Sequence, residues 1–127
     1  MIDIKKIYKP LALIVVFLLF SFTILHLTQD RELIIGEWVS TEDNNWKLVF
    51  NHQGKCYDYY QGKLESTYTY SISEETADNG VVFSYLKLVE VSDNDVLQYD
   101  INALDENNLA LNFLGDLNEK LMLFEKQ

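Results

Sequence analysis

Proline is almost missing from this chain: among its 127 residues only Pro10 is one, ahead of everything that reads as a compact domain. No later strand is therefore confined to an edge or a bulge by a missing backbone donor. Cysteine is equally scarce, and the single Cys56 excludes an intramolecular disulfide and a lipid-modified cysteine just behind the apolar N-terminal run. Bases are few. From Arg31 to Gln127 seven Lys and Arg face eighteen Asp and Glu, a net charge of −11. An acidic surface of this kind repels phosphate backbones, which excludes nucleic-acid binding through an electrostatic footprint. Two histidines, His26 and His52, have no Cys or His at ligand spacing, and no Ser-His-acid or Cys-His set can be assembled, so neither metal nor cofactor nor catalysis is expected.

What is abundant comes in two kinds. Residues Pro10 to Gln29 carry no formal charge, and Leu11 to Leu25 are almost wholly Leu, Ile, Val and Phe. Twenty helical residues span about 30 Å, the thickness of a bilayer core. Lys5, Lys6 and Lys9 precede the run and Asp30 and Glu32 follow it, so the positive-inside bias places the N-terminus in the cytoplasm and the remainder outside. A cleaved signal peptide shares the same start, but the small residues it needs before a cut are limited to Ser21 and Thr23, split by Phe22. An uncleaved anchor is favoured. The expected organisation is a cytoplasmic basic tip at 1–9, a transmembrane signal anchor at 10–29, a tether at 30–35 and one domain at 36–127.

Beyond Gly36 the helical period gives way to short alternating runs between turn signals, an all-β pattern. The runs are Gly36 to Ser40, Trp46 to Asn51, Lys55 to Gln61, Leu64 to Ser73, Val81 to Val91, Val96 to Leu104, Leu109 to Phe113 and Lys120 to Glu125. Trp46, Leu48 and Phe50 share a face, as do Leu64, Tyr68, Tyr70 and Ile72, and Leu97, Tyr99, Ile101 and Ala103. The fifth run is apolar on both faces, so its register is open. Connections such as Asn79-Gly80 and Gln61-Gly62-Lys63 are too short for parallel crossovers, so neighbours pair antiparallel. Eight strands in an open meander expose two edges, and closure removes both. An eight-stranded antiparallel up-and-down barrel is expected.

The Gly36-Glu37-Trp38 triplet, with Leu33-Ile34-Ile35 before it and eight short strands after it, resembles the opening of lipocalins and related calycin-like barrels. The resemblance implies that Trp38 plugs the closed end and that Gly36 admits close backbone approach. This sequence lacks the family's Arg near the last strand, and the likeness leaves Lys120 or Lys126 to supply the cation over the ring.

Tyrosine is the most unusual component, with Tyr57, Tyr59, Tyr60, Tyr68, Tyr70, Tyr85 and Tyr99 on the third to sixth runs. Pointing inward, Trp46, Phe50, Tyr60, Tyr68, Tyr70 and Tyr99 would line an amphipathic ligand pocket, or would simply fill the centre. Tyr57 and Tyr59 would face outward beside Lys55 as an aromatic patch for a partner. Burial is expected for Cys56. The acidic turns, Asp93-Asn94-Asp95 among them, lack the Gly and distal Glu of a calcium loop and read as solvated turns. Two functions fit: a non-catalytic, membrane-anchored extracytoplasmic interaction module, or a carrier of a small apolar ligand.

Overall fold

A computed structural model describes residues 29–115 and 120–127. The basic tip and all of the expected anchor except residue 29 lie outside them, and among the described residues no helix is long and apolar enough to cross a membrane. A helical turn at 29–33 leads into eight strands: β1 (Gly36–Ser40), β2 (Trp46–Phe50), β3 (Lys55–Tyr60), β4 (Lys63–Thr76), β5 (Val82–Glu90), β6 (Val96–Leu104), β7 (Asn108–Phe113) and β8 (Leu121–Lys126). Every neighbouring pair is antiparallel, and β1 pairs with β8, so the sheet closes into a barrel. Closure runs through Trp38 opposite Lys126 and Ser40 opposite Phe124.

Alternation selects the inward set. Trp38, Leu48, Phe50, Cys56, Tyr68, Ile72, Leu86, Leu88, Leu109, Leu111 and Phe124 form one buried cluster, against which Trp46, Tyr70, Leu97, Tyr99 and Met122 pack. Fully burying one such aromatic or branched side chain contributes roughly 1.5–3 kcal/mol, and this cluster is the main apolar store of the fold. The ambiguous fifth run is resolved by its partners: Leu86 lies opposite Ile72 and Tyr99, and Leu88 opposite Tyr70 and Leu97. Between β3 and β4 the turn is made by Gln61 and Gly62, both at positive φ (52° and 77°), the backbone that joins two strands through two residues with matching twist.

Two β-bulges correct the face assignments read from alternation. Asp58 pairs with Ser66 but Tyr59 with Leu64, which leaves Glu65 as the extra residue and turns Leu64 outward with Tyr59. Likewise Ile101 pairs with Leu111 but Ala103 with Ala110, so Asn102 is extra, Ala103 faces out and Leu104 joins Leu109 at the core. One inserted residue inverts every later side chain on that strand.

Candidate functional site

The two ends of the barrel differ. At the end where the chain enters, the 29–33 turn folds against the strands: Ile34 is fully buried, and Ile34 N–H donates to the Asp30 carbonyl at 3.1 Å. Trp38 is also fully buried, and its Nε1 donates to the Ile34 carbonyl at 2.8 Å. Lys126, not Lys120, supplies the cation: its Nζ lies 5.1 Å from the Trp38 ring centroid and donates to the Leu33 carbonyl at 3.0 Å. Lys120 instead pairs with Glu42 at 3.1 Å on the surface. Gly36 stands beside the Lys126 stem, where a Cβ would approach Cε to 2.7 Å. Phe50 and Tyr70 meet edge to face at 5.0 Å above this layer, and the Tyr70 hydroxyl donates to the Asn51 carbonyl at 2.8 Å.

The opposite end is shallow and partly polar. Trp46 meets Phe124 edge to face at 5.0 Å, and its Nε1 donates to Asp58 Oδ1 at 2.8 Å. Asp58 faces inward because it lies opposite the inward Leu48, two residues on from Cys56 opposite Phe50. Burial pushes its carboxyl above the ordinary range, and Glu65 adds to the push, while the Trp46 hydrogen bond opposes it. Tyr99 and Tyr68 lie close enough to feel that charge: burial first, then neighbouring Tyr68, Asp58 and Cys56, push the Tyr99 phenol up to about 12. Burial likewise raises Tyr68, with Ser66 opposing through a hydrogen bond. Cys56 is fully buried and its thiol is raised, by burial and then by Asp58. Beside this layer an apolar depression of about 360 Å³ is lined by Leu97, Tyr99, Phe113, Lys120 and Met122. Tyr60, Leu64, Val91, Val96, Leu114 and Leu121 are all exposed around the same end.

The six aromatic residues singled out in the sequence therefore fall into three places. Trp46, Tyr68 and Tyr99 lie together at the open end, Phe50 and Tyr70 near the closed end, and Tyr60 is exposed at the rim beside Asp43, whose hydrogen bond and charge raise its phenol. Tyr57 and Tyr59 share the outer face and are half-buried, with Lys47 Nζ 5.1 Å from the Tyr59 ring centroid. Asp58, Phe113 and Met122 were not singled out from sequence. Counting pairs across the Gly54 turn would have turned Asp58 inward with Leu48.

Glu90, Asp93 and Asp95 bring carboxylate oxygens within 4.8 Å of one another in the β5–β6 turn. Asp93 there accepts from the Asp95 backbone N–H at 3.0 Å and Glu90 from the Ser92 hydroxyl at 3.1 Å, bonds that hold the turn in its fold. His52 is exposed in the β2–β3 turn. No family model, curated protein or solved structure matches this chain.

Proposed function

We propose that the chain is a non-catalytic, membrane-anchored extracytoplasmic binding module on a lipocalin-like barrel, whose open end receives an apolar group of a protein partner. One observation carries this reading: the barrel centre is occupied by its own side chains, from Trp38 through Leu86 to Phe124, while Tyr60, Leu64, Val91, Val96, Leu114 and Leu121 stay exposed around an apolar depression at the mouth. A depression over a filled core suits a protruding side chain better than an engulfed lipid. The charge-free run at 10–29, with Lys5, Lys6 and Lys9 before it, supports a single-pass anchor with its N-terminus in the cytoplasm and the barrel outside, in the periplasm where the cell has an outer membrane. Tyr57 and Tyr59 on the outer face offer a second contact area. Cys56 is buried with a raised thiol and His52 is an exposed turn residue, which supports a binding rather than a catalytic role.

A second reading, a carrier of a small apolar ligand, is favoured by the grouping of Trp46, Tyr68 and Tyr99 beside the depression. In-cell photocrosslinking separates the two. A benzophenone amino acid at Leu121 or Val96 should yield an adduct of one discrete mass with a protein. Native mass spectrometry of the full chain, together with titration by N-phenylnaphthylamine, should show a bound small mass and saturable Trp quenching only for a carrier. Absence of a crosslink at both positions sinks the module reading.

A further inference from the structure

The longest hairpin of the barrel outruns its neighbours. Backbone pairing of β4 with β3 ends at Thr69, with one further bond from Tyr70 N–H to the Gly54 carbonyl, and β5 meets β6 only from Tyr85 onward. Glu74 to Thr76 and Val82 to Ser84 therefore pair only with each other, and a turn at 77–81 closes the arm. At that turn three consecutive large apolar residues are left in solvent: Val81 (46% exposed), Val82 (51%) and Phe83 (40%). The other exposed large apolar residues lie around the mouth, apart from Leu123 on β8.

The arm also projects at a particular place. Because strands alternate in direction, β5 begins at the same end as β1, where the chain enters the barrel. Contact confirms the proximity: the Ser84 hydroxyl donates to Asp30 Oδ2 at 3.5 Å, and Asp30 follows directly on the last residue of the charge-free 10–29 run. Phe83 adjoins Ser84, and Val81 is about 10 Å further along the arm at strand spacing. Residues 29–33 are helical and include the last residue of that run, so the described chain passes from it into the barrel without an intervening loop.

We propose that the arm tip, Val81, Val82 and Phe83, seats in the outer interface of the bilayer that holds the 10–29 span. This rests on the anchor reading given above. It adds a second foothold to the single span and orients the barrel with its mouth away from the membrane. The tip's own charges select the lipid surface. Glu75 and Asp78 flank it with no Lys or Arg between Lys63 and Lys87, so a zwitterionic surface is accommodated and an anionic one repelled.

The full chain carries Cys56 fully buried, so Val82→Cys, Phe83→Cys or Val96→Cys each adds the one exposed thiol for an environment-sensitive fluorophore. Each variant is reconstituted into phosphatidylcholine vesicles containing a lipid with a nitroxide near the headgroup, and flotation is scored first. Flotation with at least twofold stronger quenching at 82 and 83 than at 96 is the expected result. A chain that floats with equal, weak quenching at all three positions overturns the inference while leaving the anchor standing. A chain that does not float overturns both. Quenching that disappears as protein is diluted in lipid, with a crosslink between copies at residue 82, assigns the tip to a second copy of the chain and likewise overturns the proposal.

Discussion

Lys126, the last residue of β8, lays its ammonium 5.1 Å from the ring centroid of Trp38, the middle residue of β1, and so joins the two strands that close the barrel. The same ammonium donates to the Leu33 carbonyl at 3.0 Å, which ties the entering chain to both. A cation over a buried indole is stabilising by about 0.5–2 kcal/mol, more where water is excluded.

Removing that cation should cost stability without opening the fold. Lys126→Met retains the apolar stem and loses the ammonium, so urea denaturation should show a loss of about 1–2 kcal/mol. Gly36→Ala should lose more than about 1 kcal/mol, because φ there is +133° and the new Cβ meets the Lys126 stem. If Lys126→Met and wild type unfold at the same urea concentration, the ammonium is not stabilising.

The Trp46–Asp58 hydrogen bond should be visible as an acid titration. Trp46→Phe keeps the edge-to-face contact with Phe124 but removes the donor, leaving a half-buried carboxylate short of a partner at a cost of about 1–3 kcal/mol. The Asp58 carboxyl, already above the usual carboxylate range, should rise further. Its folded value is raised, so its contribution to stability is full below the unfolded value and falls as pH climbs through the folded one. NMR titration of the Asp58 carboxyl in both proteins checks the direction, and a downward shift in Trp46→Phe contradicts it.

Tyr99 should dominate the alkaline limb. Its phenol is held up to about 12 against an ordinary 10, so its stabilising contribution is complete below pH 10 and is lost between about pH 10 and 12. Two units correspond to roughly 3 kcal/mol. Ultraviolet titration of Tyr99→Phe should lack the latest tyrosinate step, and its thermal stability should fall less steeply above pH 10.

Cys56 should be silent until the barrel opens. Fully buried and with its thiol raised by burial, it should resist dithionitrobenzoate at pH 8 and react stoichiometrically in denaturant. Cys56→Ser should cost about 1–3 kcal/mol, since it places a hydroxyl among Phe50, Tyr68 and their neighbours. Rapid labelling of the native protein would contradict the inward placement.

Much of the barrel was readable in advance because each strand repeats a two-residue pattern that its own side chains enforce. β1 and β6 have the ends expected from that pattern, and the other strands differ by one to three residues at an end. The exceptions share one cause. Alternation alone puts Leu64 and Ala103 on the inner face, whereas the bulge residues Glu65 and Asn102 turn them outward, because a bulge leaves the local alternation intact while shifting the partner strand by one. Asp58 is hidden for a related reason: a lone acid in a Tyr-rich strand reads as solvent-facing until its partner, Leu48, is known.

Alternating hydrophobicity, two-residue turns and the shortage of proline specify that strands form and that neighbours run antiparallel, since those preferences act over a few bonds. Which lysine covers Trp38, which aromatics share the mouth and which hairpin outreaches the rest depend on stagger accumulated around eight strands. That quantity exists only once β8 has met β1, because each side chain's height in a barrel is set by every pairing between it and the seam.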